Sequence, residues 1–335
     1  ILARRRSAGD ALAWRSRRLH GIVRLMVVLV PSDVLRRTPS REAGIPKATE
    51  EQLRIFGVEL IQRAVVLLRL PQTSGVSAAA IFQRFYFRRS LVDFDVRVTA
   101  AAALFLACKL GETHRTLRAV VSVFHRVQAR LAERGQEAAA PCGRGGGPRP
   151  ALAPPGGGEC RELKQAVIAV EWHILRELGF AMAICLEHPH KYVLQFVKSF
   201  QFPTDEARSR IAQVAWNYLN DSMRTALCCA YQPHQIATAS IYLAAIKVGI
   251  VLPLEPPWWE IFDAELGDLR RIARKIMALY ARPPAEYVSV ARSPASPAPA
   301  EARHRVGPAG EGKGPVAPGS RSRSRSPCAV QRVAG

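Results

Sequence analysis

The chain has 335 residues, 48% of them apolar, with a formal net charge of +21 and seven cysteines. That length allows about two domains, each able to bury a core, and the odd cysteine count with no Cys-x-x-Cys pair excludes a disulfide framework or a zinc ribbon. The charge excludes less than its size suggests: residues 1–41 hold ten Arg against two acids (+8), residues 281–335 hold eight Arg and one Lys against three acids (+6), and only +7 remains for residues 42–280.

Residues 1–45 read as a partly disordered N-terminal extension. The chain begins with Ile1, which marks a fragment or an imperfect gene start, and residues 1–27 carry little weight. Gly21 to Val30 follows Arg-rich sequence as a signal-peptide core would. It is too short to span a bilayer, contains Arg24 and lacks a small-x-small cleavage site, so no membrane segment is expected. Past the turn residues Thr38-Pro39-Ser40 and Pro46, Thr49 precedes a helix with Glu50 and Glu51 in its first turn. Its face is Leu53, Phe56, Leu60, Ala64 and Leu67, and Pro71 ends it. Further helices are predicted near 76–89, 95–110 and 116–132. Residues 135–158, rich in Gly, Pro and Ala, form a disordered insertion. A helix resumes near Cys160 with Leu163, Val167, Val170, Ile174 and Leu178 on one face, and stops at Gly179.

A second set of helices is predicted near 187–200, 204–222, 233–248, 257–264 and 266–281. Thr204-Asp205-Glu206 and Pro233 supply start signals. Residues 289–335 turn to Pro, Ala, Gly, Ser and Arg and are expected to be disordered. Leu104-Phe105-Leu106-Ala107-Cys108 is echoed by Ile241-Tyr242-Leu243-Ala244-Ala245, and the aromatic-rich stretches starting at Phe82 and Trp216 precede the two copies. Small residues among large ones let neighbouring helices approach closely around a central one. The fold class is therefore all-α, two five-helix bundles in tandem, spanning 46–182 and 183–288.

Several segments then carry a resemblance: Leu53-Arg54-Ile55 with Glu59-Leu60-Ile61-Gln62, Leu68-Arg69-Leu70-Pro71-Gln72, Ala107-Cys108-Lys109-Leu110, Arg176-Glu177-Leu178-Gly179-Phe180, His188-Pro189-His190-Lys191, Ala215-Trp216-Asn217-Tyr218 and Asn220-Asp221-Ser222. Together they resemble the cyclin box, in its cyclin L branch, over roughly residues 28–288. The resemblance implies a regulatory subunit that binds a cyclin-dependent kinase as a heterodimer and holds its catalytic helix in the active position. It marks Lys109 and Glu171 as the pair that hydrogen-bonds the kinase backbone, with Leu106, Leu110, Leu175 and Phe180 as the apolar surround. A Lys ammonium with three donors and a Glu carboxylate that accepts suit that role. A Lys closing a helix also commonly just meets the helix dipole, and a Glu there can be a solvated helical residue.

The chain departs from the pattern in Gly111-Glu112-Thr113-His114, where cyclin L has a Glu-rich turn, and in the 135–158 insertion. Leu53-Arg54-Ile55-Phe56 lies where cell-cycle cyclins dock substrate motifs, but the accompanying Trp is absent and no docking is expected there. The resemblance also implies a nuclear protein, directed to speckles and to splicing factors by an Arg/Ser tail, of which Arg321 to Ser326 keeps three steps. Ser322, Ser324 and Ser326, with Ser293-Pro294 and Ser296-Pro297, are candidate phosphorylation sites.

Kinase signatures, a Gly-x-Ser-x-Gly elbow, a Walker loop and a His-Glu-x-x-His helix are all missing, so no catalytic residue and no cofactor are expected. His188-Pro189-His190 lacks a third ligand and is not a metal site. Cys108 and Cys185 read as small core hydrophobes in a reducing compartment. Phe85, Tyr86 and Phe87 among arginines could mimic an RNA-stacking patch, but core aromatics beside solvated Arg fit better. The competing reading is a nucleic-acid adaptor of the TFIIB type, also built on doubled cyclin-like bundles. The modest core charge argues against direct nucleic-acid binding by the folded part.

Overall fold

The computed structural model describes residues 27–139, 157–180, 187–202, 204–253, 255 and 257–290. Its regular structure among these residues is helical. Two short helices, α1 (Ser32–Arg36) and α2 (Pro39–Glu42), lead into α3 (Lys47–Leu67), α4 (Gln72–Phe85), α5 (Val96–Leu110), α6 (Leu117–Ala139) and α7 (Gly157–Glu177). A second run follows: α8 (His190–Ser199), α9 (Asp205–Ser222), α10 (Leu227–Ala230), α11 (Pro233–Val248), a 3-10 turn (Glu260–Phe262) and α12 (Leu266–Tyr280).

Side chains set the boundaries. Asp95 caps α5 by accepting from the Arg97 N–H, Thr204 caps α9 by accepting from the Ala207 N–H, and Gln232 and Gln235 form a reciprocal capping box around Pro233. Four expectations shift. Pro46, not Thr49, precedes α3, and α4 begins directly after Pro71. Two edges differ from the predicted insertion bounds: the good helix formers Gln136 to Ala139 belong to α6 and Gly157 to α7, and residues 140–156 lie outside the described residues. The helix predicted over 257–264 is a single 3-10 turn, since Pro256 and Pro257 remove N–H donors and Asp263 turns left-handed at φ 52°. The second run therefore has four long helices.

Each run encloses its own core. In the first, α5 is central, with Ala100 to Leu104, Leu106, Ala107 and Cys108 buried. In the second, α11 plays that part, buried from Ile236 to Ile241 and from Leu243 to Ala245. The small residues serve close crossing: a Cβ added to Gly57 in α3 would lie 2.2 Å from Cζ of Phe82 in α4. Phe85, Tyr86 and Phe87 are core residues, with Arg54 stacked 4.3 Å from the Phe87 centroid. Trp258 is buried against Phe200 and Phe262. Cys108 is buried, and Cys185 lies outside the described residues.

The two runs meet through Met223, buried in the first core, and through polar contacts. The Asn220 carboxamide accepts from Gln72 Nε2 at 2.7 Å and faces His190 Nε2 at 2.9 Å, while its backbone carbonyl accepts from Gln62 Nε2 at 2.9 Å. His188 Nε2 meets Ser77 Oγ at 3.0 Å, so the two histidines have separate partners and share no metal-binding geometry. Burial, with His190 adding and Glu187 opposing, pushes the His188 pKa down to about 4. The unfolded chain takes up a proton near pH 6.5 and the folded chain does not, so stability is full above that pH and falls as pH drops toward 4. The His188 contribution is about 3 kcal/mol. Denaturant titrations at pH 7.5, 5.5 and 4.5 should show this loss and a flatter profile for His188→Asn; identical profiles would refute it.

After α12 the chain returns to the first bundle. Gln52 Nε2 donates to the Glu286 carbonyl at 3.1 Å, Tyr287 donates to Asp95 at 2.8 Å, and its ring lies 5.8 Å from that of Phe56 and 4.2 Å from the Arg97 guanidinium. The face bearing Phe56, where no substrate docking was expected, is covered by this strap.

Candidate functional site

Lys109 occupies the last turn of α5, and Glu171 the middle of α7. Their side chains meet, Nζ to Oε1 at 2.7 Å, with the Lys side chain 47% exposed and the Glu 9%. The ammonium also lies 4.2 Å from the centroid of Phe105, one turn back on the same helix. Thus one end of the pair is solvated and the other is held against the bundle. An ion pair at such a surface contributes at most about 1 kcal/mol, so a partner can reopen it at little cost.

The loop after Lys109 is tied down on two sides. Thr113 N–H bonds the Cys108 carbonyl at 2.9 Å and Glu112 N–H bonds that of Lys109 at 3.3 Å, a Schellman ending with Glu112 at φ 52°. Thr113 Oγ1 faces Ser74 Oγ at 2.9 Å, and Arg115 Nε donates to the Leu68 carbonyl at 3.2 Å. Helix α7 ends in the same way: Phe180 N–H bonds the Leu175 carbonyl at 3.0 Å and Gly179 N–H that of Arg176 at 3.2 Å. Gly179 takes φ 63° without strain, but Phe180 follows at φ 58°, where a bulky side chain costs on the order of 1–2 kcal/mol. Its ring stands 66% exposed. Strained backbone beneath an exposed aromatic is a frequent property of binding sites.

Of the remaining residues marked by sequence, Leu110 and Leu175 are half-buried, while Leu106 is buried in the first core and supports the site from beneath. Sequence reasoning missed Ile168 and Trp172, each 53% exposed on α7. At 100° per residue they fall within about 100° of Glu171 on the helix wheel, and Arg176 lies 5.1 Å from the Trp172 ring centroid. The available signal was that neither belongs to the 163, 167, 170, 174, 178 stripe that packs inward. The phosphorylation candidates Ser293, Ser296, Ser322, Ser324 and Ser326 lie outside the described residues. Among the described residues no group of three metal-ligating side chains converges, and no helix is long and apolar enough to cross a membrane.

The helical bundle around an Ala-rich central helix is a cyclin box: the Cyclin, N-terminal domain family matches residues 34–183. Cyclin-L1-1 of Arabidopsis thaliana is 36% identical over 258 residues, covering 77% of this chain and 57% of that protein, and Cyclin-L2 of Homo sapiens is 36% identical over 261 residues, covering 78% and 46%. The chain belongs to the cyclin family, and these relatives place it beside cyclin L. It spans about half the length of the curated relatives it matches. In fold it is similar to a chain of the yeast RNA Pol II CTD kinase CTDK-1 complex, with a TM-score of 0.59 at 14% identity over 80% of this chain and 81% of that one.

Proposed function

We propose that the protein is the regulatory subunit of a cyclin-dependent kinase acting in transcription and pre-mRNA splicing in the nucleus and its speckles. The observation that carries this reading is the Lys109–Glu171 pair, its Lys end half-exposed and its Glu end buried, with Ile168 and Trp172 exposed on α7 and Phe180 exposed just past its end. A cation and an anion side by side can bond a carbonyl and an N–H of one partner segment, and exposed aromatic and aliphatic surface beside them supplies the desolvated centre that gives an interface most of its energy. Activation is then a population shift: a partner that binds the active kinase conformation about 5.5 kcal/mol better moves a 1:99 equilibrium to 99:1. The relatives named cyclin L, together with the Arg-Ser steps of Arg321 to Ser326, support the splicing branch and a tail that meets splicing factors.

The test is to purify the tagged full chain from cells, identify the co-purifying kinase by mass spectrometry, and assay that kinase with and without the chain. A cyclin-dependent kinase should be retained and its peptide phosphorylation raised at least tenfold. Retention of none, or an unchanged rate, overturns the reading.

A further inference from the structure

Helix α4 carries the chain from Ser74, beside the Lys109 loop, toward Phe87, roughly 20 Å away. There a cleft of about 300 Å³ opens, with walls from α1, α3, α10 and α12. Its apolar lining includes Ile55, Phe87, Leu227 and Leu279. The volume is at the low end of pockets that hold a ligand, so the cleft takes one or two side chains of a partner and not a folded surface.

The charged lining is one-sided. Seven Arg or Lys side chains line the cleft with only two carboxylates, Glu50 and Glu51. Asp221 and Glu59 pair Arg224 from outside the lining, and with them counted the cations still exceed the acids by three. Arg41 and Arg54 share Glu50, while Lys47 and Arg282 share Glu51. Two cations are left over. No carboxylate among the described residues lies in ion-pair range of Arg36 or of Lys275, whose ammonium has the Tyr231 ring at 5.6 Å as its neighbour. Both residues are exposed, so a ligand can reach them. The cleft walls still strip solvent from the Lys275 ammonium and, with Glu51 opposing and Lys47 adding, pull its pKa below the ordinary range. An anion beside it would relieve that penalty.

Two properties together select the anion. The pair of free cations matches a phosphate monoester, which carries about −1.5 to −2 charge and three strong acceptors, better than it matches a singly charged carboxylate. A guanidinium also meets phosphate oxygens with a bidentate fork. Single-stranded nucleic acid would bring phosphates too, but its bases need open aromatic faces to stack on. Phe87, the one aromatic lining residue, is 6% exposed and has Arg54 stacked 4.3 Å from its centroid. The aliphatic lining asks instead for an aliphatic side chain next to the phosphate.

We propose that the cleft is a docking site for a phosphorylated segment of a partner protein, the phosphate of a phosphoserine or phosphothreonine bonded by Arg36 and Lys275 and an aliphatic neighbour packed on Ile55, Leu227 and Leu279. The site stands whether or not Lys109 and Glu171 hold a kinase. Lying at the far end of α4 from the Lys109 loop, it can be filled while that first site is occupied.

In the test, the immobilised full chain is offered pools of short peptides with degenerate flanks and phosphoserine, serine or glutamate at the centre. The phosphoserine pool should be retained about tenfold or more over the other two, the return for one or two charge-assisted hydrogen bonds. Leu, Ile, Val or Met should be enriched beside the phosphate. The best-retained sequence, fluorescein-labelled, is then titrated by anisotropy. Arg36→Gln with Lys275→Gln should weaken it about tenfold or more at unchanged melting temperature. Lys198→Gln, at an exposed cation on α8 outside the cleft, should not. Lys275→Gln alone, expected to weaken binding several-fold, stands in if the double variant fails to fold. Equal retention of the pools, no aliphatic preference, indifference to the cleft variants, or an equal loss in Lys198→Gln each overturns the proposal. So does displacement of the phosphopeptide by a short single-stranded RNA at lower concentration, which would make the cleft a nucleic-acid site, or by inorganic phosphate at the same concentration, which would leave no role for a peptide. Kinase capture through Lys109 is scored separately in the same variants and should be unchanged, so failure of one reading is distinguishable from failure of the other.

Discussion

Glu50→Ala is expected to cost about 3–5 kcal/mol of stability, the range for stripping one partner from a buried ion pair. Glu50 is 1% exposed and accepts three hydrogen bonds, from Thr38 Oγ1 at 2.9 Å, Arg41 Nε at 2.7 Å and Arg54 Nε at 3.0 Å. Arg54 is buried as well. Burial pulls its pKa down and Glu50 opposes that pull, so without the carboxylate a cation is left in the core. The remaining Arg54 donors are fixed by the Gln83 carbonyl at 3.0 Å and the Tyr86 carbonyl at 2.8 Å, which prevents the side chain from swinging out to water. Glu50→Gln keeps the shape and should recover less than half of the loss, because its amide group turns a donor toward Arg41 or Arg54. Replacing both Glu50 and Arg54 by Met should cost less than Glu50→Ala alone, since no buried charge remains, although two carbonyls lose their donors. Urea denaturation of the three variants checks the ordering. A loss below 1 kcal/mol for Glu50→Ala would show that water reaches Arg54.

The two acids at the start of α3 show what sequence can and cannot say. Glu50 and Glu51 read alike as first-turn acids, yet the structure separates them: Glu50 turns inward, while Glu51 faces Lys47 and Arg282. Nothing local to the sequence announces that Glu50 anchors α2 and Arg54, because its partners Thr38 and Arg41 come from a segment that read only as turns. Periodicity located the long helices well, since the stripes at 53, 56, 60, 64 and at 163, 167, 170, 174, 178 face the first core, but Leu67, placed on the first stripe, is 43% exposed. It failed where backbone geometry outranks hydrophobicity. Arg69, Glu112 and Asp263 adopt φ of 50°, 52° and 52° at turns where glycine would be expected, and the Schellman bonds there come from neighbouring carbonyls and not from residue type. The strap over Phe56 was also invisible, because Tyr287 lies in a Pro-rich stretch and gains its partners, Asp95 and Arg97, only through the tertiary fold. The candidate site was legible in part. Spacing and resemblance marked Lys109 and Glu171, 62 residues apart, and the structure brings them to 2.7 Å. Ile168 and Trp172 went unnoticed because an apolar residue off the inward stripe carries no sign of its purpose until exposure is known.

Exchanging the two charges, Lys109→Glu together with Glu171→Lys, is expected to abolish kinase capture while leaving the fold intact. Each single reversal places like charges side by side where the Lys109 end is half-exposed and the Glu171 end buried, and should lower stability by about 1–3 kcal/mol without unfolding the bundle. The exchange restores an ion pair of the original geometry, so a pair that merely staples α5 to α7 would be fully rescued by it. A pair that reads the polarity of a partner's backbone would not, because the donor now faces the partner's N–H and the acceptor its carbonyl. Charge-assisted hydrogen bonds are worth about 1.5–3 kcal/mol each, and losing both corresponds to a fall in affinity of roughly 10² to 10⁴-fold. The experiment measures melting temperature and affinity for the co-purified kinase in the parent, both single variants and the exchange. Thermal stability should be recovered in the exchange and affinity should not. Recovery of both would assign the pair to scaffolding and leave Ile168, Trp172 and Phe180 to carry the interface. Affinity lost only in parallel with melting temperature would have the same meaning, because the partner would then be sensing the fold and not the charges.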